Sequence, residues 1–224
     1  KSLAATLVSG LIGNVALADA PLVSETADVI PADDCQVEAA AARARTSSQA
    51  ATTSQDVLGS CGVWGRHQIG LGYTRERSEG VSTHALRTFV KTTLKVPEEG
   101  RFGYGLRLGV DASRAPREAW RVAGLEVLGV MTREIAPSVL FHANLGHAWE
   151  RTQRQGTTLW SLGVETTTDI TVAADFFGDD RKRPWVSAGI GARLGRGYSI
   201  NASVAVQFDS PQQTQWTLGA KIEF

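Results

Sequence analysis

Along most of the chain, apolar and polar residues trade places one at a time. In the closing stretch, QWTLGAKIEF, Trp216, Leu218, Ala220, Ile222 and Phe224 alternate with Gln215, Thr217, Gly219, Lys221 and Glu223. Side chains of a β-strand point to opposite faces with period 2, so this segment has one wholly apolar face and one small, polar or charged face. The pattern recurs. In 69–73, Ile69, Leu71 and Tyr73 oppose glycines; in 83–96, Leu86, Thr88, Val90, Thr92, Leu94 and Val96 oppose Arg87, Phe89, Lys91 and Lys95. Segments 102–111, 138–150, 158–166, 185–194 and 199–209 alternate in the same way.

These segments run to roughly ten residues, the length a tilted strand needs to cross a bilayer. Strands of soluble sandwiches are nearer five or six. The expected fold is therefore all-β: a closed antiparallel transmembrane β-barrel. Closure is required because lipid offers nothing to satisfy a free strand edge. Short turns (REIAPS, GRGY) alternate with longer charged ones (RERSEGVS, ERTQRQGT, FGDDRKRP). Further strands at 35–46, 52–63, 118–133 and 170–177 bring the count to about twelve, an even number as in bacterial single-chain barrels. The pattern leaves the phase open near 50–63, 118–133 and 170–177; Glu126, for instance, shares a face with Leu128 and Val130.

The first residues, KSLAATLVSGLIGNVALADA, have a basic start, an apolar run and small residues at the end, the layout of a secretory signal peptide. The expected organisation is a signal peptide over 1–18, an extended periplasmic segment over 19–33 and a barrel over 34–224. Cys35 and Cys61 make an even count in an exported chain, which favours a disulfide. Cys35 would open the first strand and Cys61 would end the second, side by side at the periplasmic end. Trp120, Trp149, Trp160, Trp185, Trp216, Tyr198 and Phe224 lie near strand ends, where aromatic girdles form at the membrane interfaces.

Charge narrows the function classes. With 23 basic and 23 acidic residues the net charge is zero, which argues against a nucleic-acid partner. The glycine-rich runs GYGLRLG and GIGARLGRG lack the lysine-serine/threonine end and the following helix of a phosphate loop. The four histidines, His67, His84, His142 and His147, do not show metal-ligand spacing, and no cofactor is expected. FHAN (141–144) slightly resembles a segment of lipid A deacylases, but Ala143 stands where a serine would be wanted. Alternation directs Arg87, Lys91, Lys95, Arg107, Asp111, His142, Asn144, Glu150, Glu165, Asp175, Arg193, Asp209, Lys221 and Glu223 inward as expected pore-lining residues. Basic residues cluster on 83–96 and 102–111 and acidic ones on later strands. Facing rows would set a transverse field across a narrow pore; the alternative is a salt-bridged plug.

Two stretches carry a resemblance. PLVSETADVIPADDCQVE (21–38), through Pro21, Leu22, Ala27, Cys35, Gln36, Val37 and Glu38, resembles the opening of the phenol-degradation-pathway (MetA-type) family of outer-membrane barrel proteins. FFGDDRKRPWVSAGIGARL (176–194) is similar to that family's late hairpin. The resemblance implies a barrel in the outer membrane of a Gram-negative bacterium that passes small solutes, aromatic ones among them. The expected function is passive diffusion without a chemical step. The alternatives are a closed barrel with a structural or surface role and, after that, an outer-membrane lipid hydrolase. Expected partners are outer-membrane lipid and lipopolysaccharide, small solutes, and the barrel-assembly machinery, whose signal a terminal aromatic such as Phe224 resembles.

Overall fold

The computed structural model describes residues 22–46, 50–98, 100–208 and 211–224. The expected signal peptide, Pro21 and Asp209 lie outside the described residues. The strands are β1 (Cys35–Thr46), β2 (Thr52–Val63), β3 (His67–Ser78), β4 (Val81–Lys95), β5 (Gly103–Arg114) and β6 (Arg121–Ala136). They continue with β7 (Val139–Glu150), β8 (Gln155–Thr166), β9 (Ile170–Asp179), β10 (Trp185–Gly195), β11 (Tyr198–Gln207) and β12 (Gln213–Glu223). Each pairs antiparallel with its sequence neighbour, and β1 pairs with β12 from Gln36↔Glu223 to Thr46↔Gln213. The twelve-stranded sheet is therefore closed, with no free edge.

The period-2 pattern maps directly onto this surface. Leu71, Leu108, Leu145 and Leu218 face outward, and Leu145 and Leu218 are 66% and 67% exposed. A water-soluble protein would not leave a continuous belt of such residues uncovered; a barrel in lipid requires one. The three segments of open phase are settled by register. Ser54, Asp56, Leu58 and Ser60 face inward on β2. Glu126, Leu128, Val130 and Thr132 face inward on β6, and Ala173, Asp175 and Phe177 on β9.

Both ends of the barrel proper, Cys35 and Phe224, lie together. Cys35 N donates to Phe224 O at 2.8 Å and Phe224 N to Cys35 O at 2.9 Å. Here this is termed the terminal end, and the other the loop end. Cys35 and Cys61 are cross-strand partners at the terminal end and form a disulfide. The charged stretch 75–82, expected as a longer loop, is instead strand up to Ser78 and again from Val81. The reversal needs only Glu79 and Gly80, whose φ values of 51° and 82° suit a two-residue hairpin. Trp149 and Trp216 face outward as girdle residues, whereas Trp185 faces inward and stacks on Phe177 with ring centroids 6.2 Å apart.

Residues 22–34 form no strand of the barrel. They are extended, but they do not hang below the barrel as a periplasmic segment. They run inside it, against the inner wall, and Leu22, Ser24, Glu25 and Ala27 are buried there.

Candidate functional site

An extended segment without a strand partner has backbone groups that must be paired some other way. In this strap, side chains of the barrel wall do the pairing. Val23 N and Ser24 N donate to the two carboxylate oxygens of Asp175 at 2.9 and 3.1 Å, and Ser24 Oγ adds a third bond at 2.6 Å. Glu25 N donates to Asn144 Oδ1 at 2.9 Å, and Asn144 Nδ2 donates back to Glu25 O at 3.0 Å. A side-chain amide thus stands in for a β-ladder partner, held by Ser161 Oγ at 2.7 Å. Ala27 N donates to Thr132 Oγ1 at 2.7 Å, and Ala27 O accepts from Thr93 Oγ1 at 2.8 Å. Ile30 N reaches Gln68 Oε1 at 3.3 Å, and Gly62 N donates to Asp34 O at 3.0 Å. The strap therefore crosses the wall from β9 past β7, β6, β4 and β3 to β2, then enters β1.

Small residues make room for it. A Cβ on Gly163 would sit 2.8 Å from Ser24 Oγ and 2.6 Å from Asp175 Oδ1; one on Gly62 would meet the carbonyls of Ile30 and Pro31. Alternation alone marks these glycines only as inward positions.

At the middle of the strap, Glu25 enters the charged part of the lumen. Its carboxylate lies 2.5 Å from Arg107 Nη1 and 3.8 Å from Lys91 Nζ. Arg107 also reaches Glu126 Oε1 at 3.3 Å and lies over the Phe89 ring at 4.5 Å. Beside it, Arg87 Nε donates to Asp111 Oδ1 at 2.8 Å. The low-dielectric interior makes such charges expensive unless paired, and the partners come from adjacent strands and the strap. Of the two arrangements the sequence left open, facing charge rows and salt-bridged pairing, the contacts here are pairs between neighbouring strands and the strap. His142 is 0% exposed; its Nδ1 is 3.0 Å from Thr132 Oγ1 and its Nε2 is 3.2 Å from Glu165 Oε1. Of FHAN, His142 and Asn144 face inward: Asn144 clasps the strap at Glu25, and His142 braces Thr132, which accepts from Ala27 N.

Of the expected pore-lining residues, Arg87, Lys91, Arg107, Asp111, His142, Asn144, Glu165, Asp175 and Lys221 face the interior. Glu150 is opposite Gly124 at the loop-end mouth. Glu223 is at the terminal rim, 2.7 Å from Lys221 Nζ. Lys95 does not line the lumen. A register shift between Thr93 and Lys95 sets it opposite outward-facing Tyr104. Arg193 stands exposed at the end of β10, 3.8 Å from exposed Asp169. Sequence reasoning missed Glu25, Glu38, Asp56 and Glu126. Glu25 lay in a segment without period, while Glu38 and Asp56 lay on strands of weak or open phase.

The rest of the wall is different in kind. From β10 through β12 to β1, the inward positions include Gly189, Gly191, Asn201, Ser203, Thr217, Gly219, Ala40 and Ala42. From β10, Ser187 Oγ donates to Asp175 Oδ2 at 3.3 Å and so supports the strap's first anchor. At the terminal end, between the strap and the inner face of β1 to β5, lies a cavity of about 530 Å³, lined by Glu25, Gln36, Glu38, Lys91, Arg107 and Lys221 among others.

Fold and interior define an outer-membrane-type β-barrel of porin-like architecture with an internal N-terminal strap. Residues 7–224 match the family described as "Uncharacterised conserved protein UCP029691", and the chain belongs to that family. No curated protein matches significantly. Among solved structures, the NanC porin superposes with a TM-score of 0.62 at 8% identity, covering 83% of this chain and 98% of its own. The KdgM porin in complex with disordered oligogalacturonate gives a TM-score of 0.61 at 8% identity, covering 84% and 99%. Outer membrane phospholipase A from Escherichia coli gives 0.54 at 9% identity, covering 91% and 93%. At such identities the likeness concerns the fold alone.

Proposed function

We propose that this protein is an outer-membrane channel for passive diffusion of small hydrophilic solutes, with the strap setting its constriction. The observation that carries this reading is the asymmetry of the wall. The strap and the large charged side chains crowd β3 to β9, while β10, β11, β12 and β1 present small residues at mid-height, with Trp185, Gln207, Gln215, Gln36, Glu38 and Lys221 toward their ends. A lumen meant only to be filled would carry bulky side chains all round, as small closed barrels do. Solute passes along the small-residue lane, next to the paired charges of Glu25, Arg107 and Lys91. Rows of fixed charge at a narrow point select by charge and size. The outer membrane of a Gram-negative bacterium is the compartment in which such a barrel works. Aromatic solutes enter the proposal through the resemblance of 21–38 and 176–194, and the inward Phe177–Trp185 stack offers them a face. No reaction is proposed: the histidine and asparagine of FHAN face away from lipid, Asn144 clasping the strap and His142 bracing Thr132.

The network of strap bonds favours a second reading, a barrel held shut. Planar-bilayer recordings of the purified protein decide between them. Stable conductance steps support the channel, and a silent wild type that conducts once Asn144→Ala and Asp175→Ala release the strap supports the shut barrel. Silence in both overturns the transport proposal.

A further inference from the structure

The outward surface near the loop end is chemically lopsided. Across β1 to β5, backbone register places Ala41, Gln55, Arg75, His84 and Arg114 in one outward row. The adjoining row contains Arg43, Thr53, Arg77 and Ser82, and Arg45 follows on β1. Arg43, Arg45, Arg75, Arg77 and Arg114 are exposed. Two strand spacings separate Arg43 from Arg77, and Arg75 from Arg114, about 10 Å each. Toward the terminal end the same strands turn apolar on this face, with Val37, Val57, Leu71, Tyr73, Leu108 and Val110. The basic rows therefore sit where the lipid-facing band gives way to the interface.

Acidic residues do not neutralise them. Glu38, Asp56, Glu76 and Asp111 on these strands point inward. Glu79 and Glu118 occupy nearby turns and form no salt bridge with the five arginines among the described residues. Arg114 lies over the Trp120 ring at 5.1 Å, which fixes its guanidinium while leaving its donors available. On the opposite side, the outward loop-end positions of β7 to β12 include Trp149, Thr158, Phe176, Val186, Val206 and Trp216, with no acidic or guanidinium group.

We infer that the outward arginines of β1, β3 and β5 form a docking site for the phosphate groups of lipid A, the phosphorylated glycolipid of the outer leaflet. Guanidinium forks match phosphate oxygens in a bidentate way and stay charged at any working pH. Arg43 and Arg77 bracket one phosphate position, and Arg75 and Arg114 a second. The occupant follows from charge complementarity at the interface and from the loop end, which carries most of the longer connections and so lies outside the cell. The inference rests on reading the chain as an outer-membrane barrel.

The test uses the full-length protein folded in neutral detergent, with binding followed by native mass spectrometry. The probes are lipid A, lipid A stripped of its phosphates, and phosphatidylglycerol. Wild type should retain lipid A at least about tenfold better than either other lipid, because each interfacial arginine contributes on the order of 1 kcal/mol toward an anionic headgroup. Replacing Arg43, Arg75, Arg77 and Arg114 together by glutamine should remove that preference, whereas Arg151→Gln with Arg154→Gln, in the loop between β7 and β8, should preserve it. Equal retention of the stripped lipid or of phosphatidylglycerol by wild type overturns the site, whatever the folding of the variants. So does an equal loss in the Arg151/Arg154 control. Heat-modifiable gel migration of wild type separates the two failures. A heat-modifiable protein that ignores the phosphates loses only the docking site; one that is not heat-modifiable loses the barrel reading as well.

Discussion

The two halves of the inner wall solve different problems with the same alternating strands. On β3 to β9, inward positions carry Gln68, Arg87, Lys91, Arg107, Glu126, Thr132, His142, Asn144 and Asp175, and nearly all engage the strap or one another. On β10 to β12 and β1, the inward positions at mid-height are glycine, alanine, serine, threonine and Asn201, with larger polar residues and Trp185 toward the ends. A barrel interior is normally filled by its own side chains or left as a channel. Here one half is filled with the help of a separate piece of chain, while the other presents small side chains at mid-height. The division shows that the strap is selected by specific acceptors, not by general hydrophobicity. Asp175, Asn144, Thr132 and Gln68 each meet a backbone N–H, and only Leu22 and Ala27 bury apolar side chains against the wall.

The sharpest way to break the contrast is to remove the charge at the strap's centre. Glu25→Gln leaves Arg107 and Lys91 short of a buried partner, and a loss of roughly 3 kcal/mol is expected. Thermal unfolding followed by heat-modifiable migration measures it; an unchanged transition would mean that these charges are hydrated from the lumen. Cys35→Ser comes next. The disulfide pins β1 to β2 where the strap leaves the lumen, and its loss should cost about 2 kcal/mol. The same variant should abolish the mobility difference between reducing and non-reducing gels, and a persisting difference would contradict the bridge.

Asn144→Ala removes both halves of the amide clasp on Glu25, for about 2 kcal/mol. Conductance should rise as the strap loosens; a fall or no change would show that the strap does not limit passage. Ser203→Trp probes the other half. Being on the open lane, it should shift stability by less than about 1 kcal/mol while cutting conductance sharply. A large stability loss with normal conductance would reverse the roles assigned to the two walls. Phe224→Ala should affect the lumen least. Phe224 closes the seam between β12 and β1 and is 71% exposed, so lower outer-membrane levels are expected with normal conductance in what does assemble. Unchanged levels would count against its role as an assembly signal.

Strand existence was legible because lipid on one side and water on the other impose a period of 2 that no turn disguises. The face of Arg87, Arg107 or Asn144 followed from that period directly. Lys95 escaped it because a register shift two residues before the strand end exchanges the faces, and period counting is blind to a bulge. Residues 75–82 escaped it because their charges looked like loop, whereas Arg75 and Arg77 face the interface and Glu76 faces the lumen. The acceptors that hold the strap were visible as inward polar residues, but nothing in their spacing showed that they share a common partner.

The sequence by itself determined a closed sheet of about twelve strands, its lipid-facing side, and the pairing of Cys35 with Cys61. These are local or nearest-neighbour properties, written in alternation and hairpin order. The course of residues 22–34 was decided only by tertiary structure. Asp175, Asn144, Thr132, Thr93 and Gln68 lie on separate strands and meet one short segment only after the sheet has closed around it. Contacts spanning more than a hundred residues, such as Ser24 to Asp175, carry no periodic trace in either partner, because each is set by where the curved wall brings an acceptor and not by any repeat along the chain.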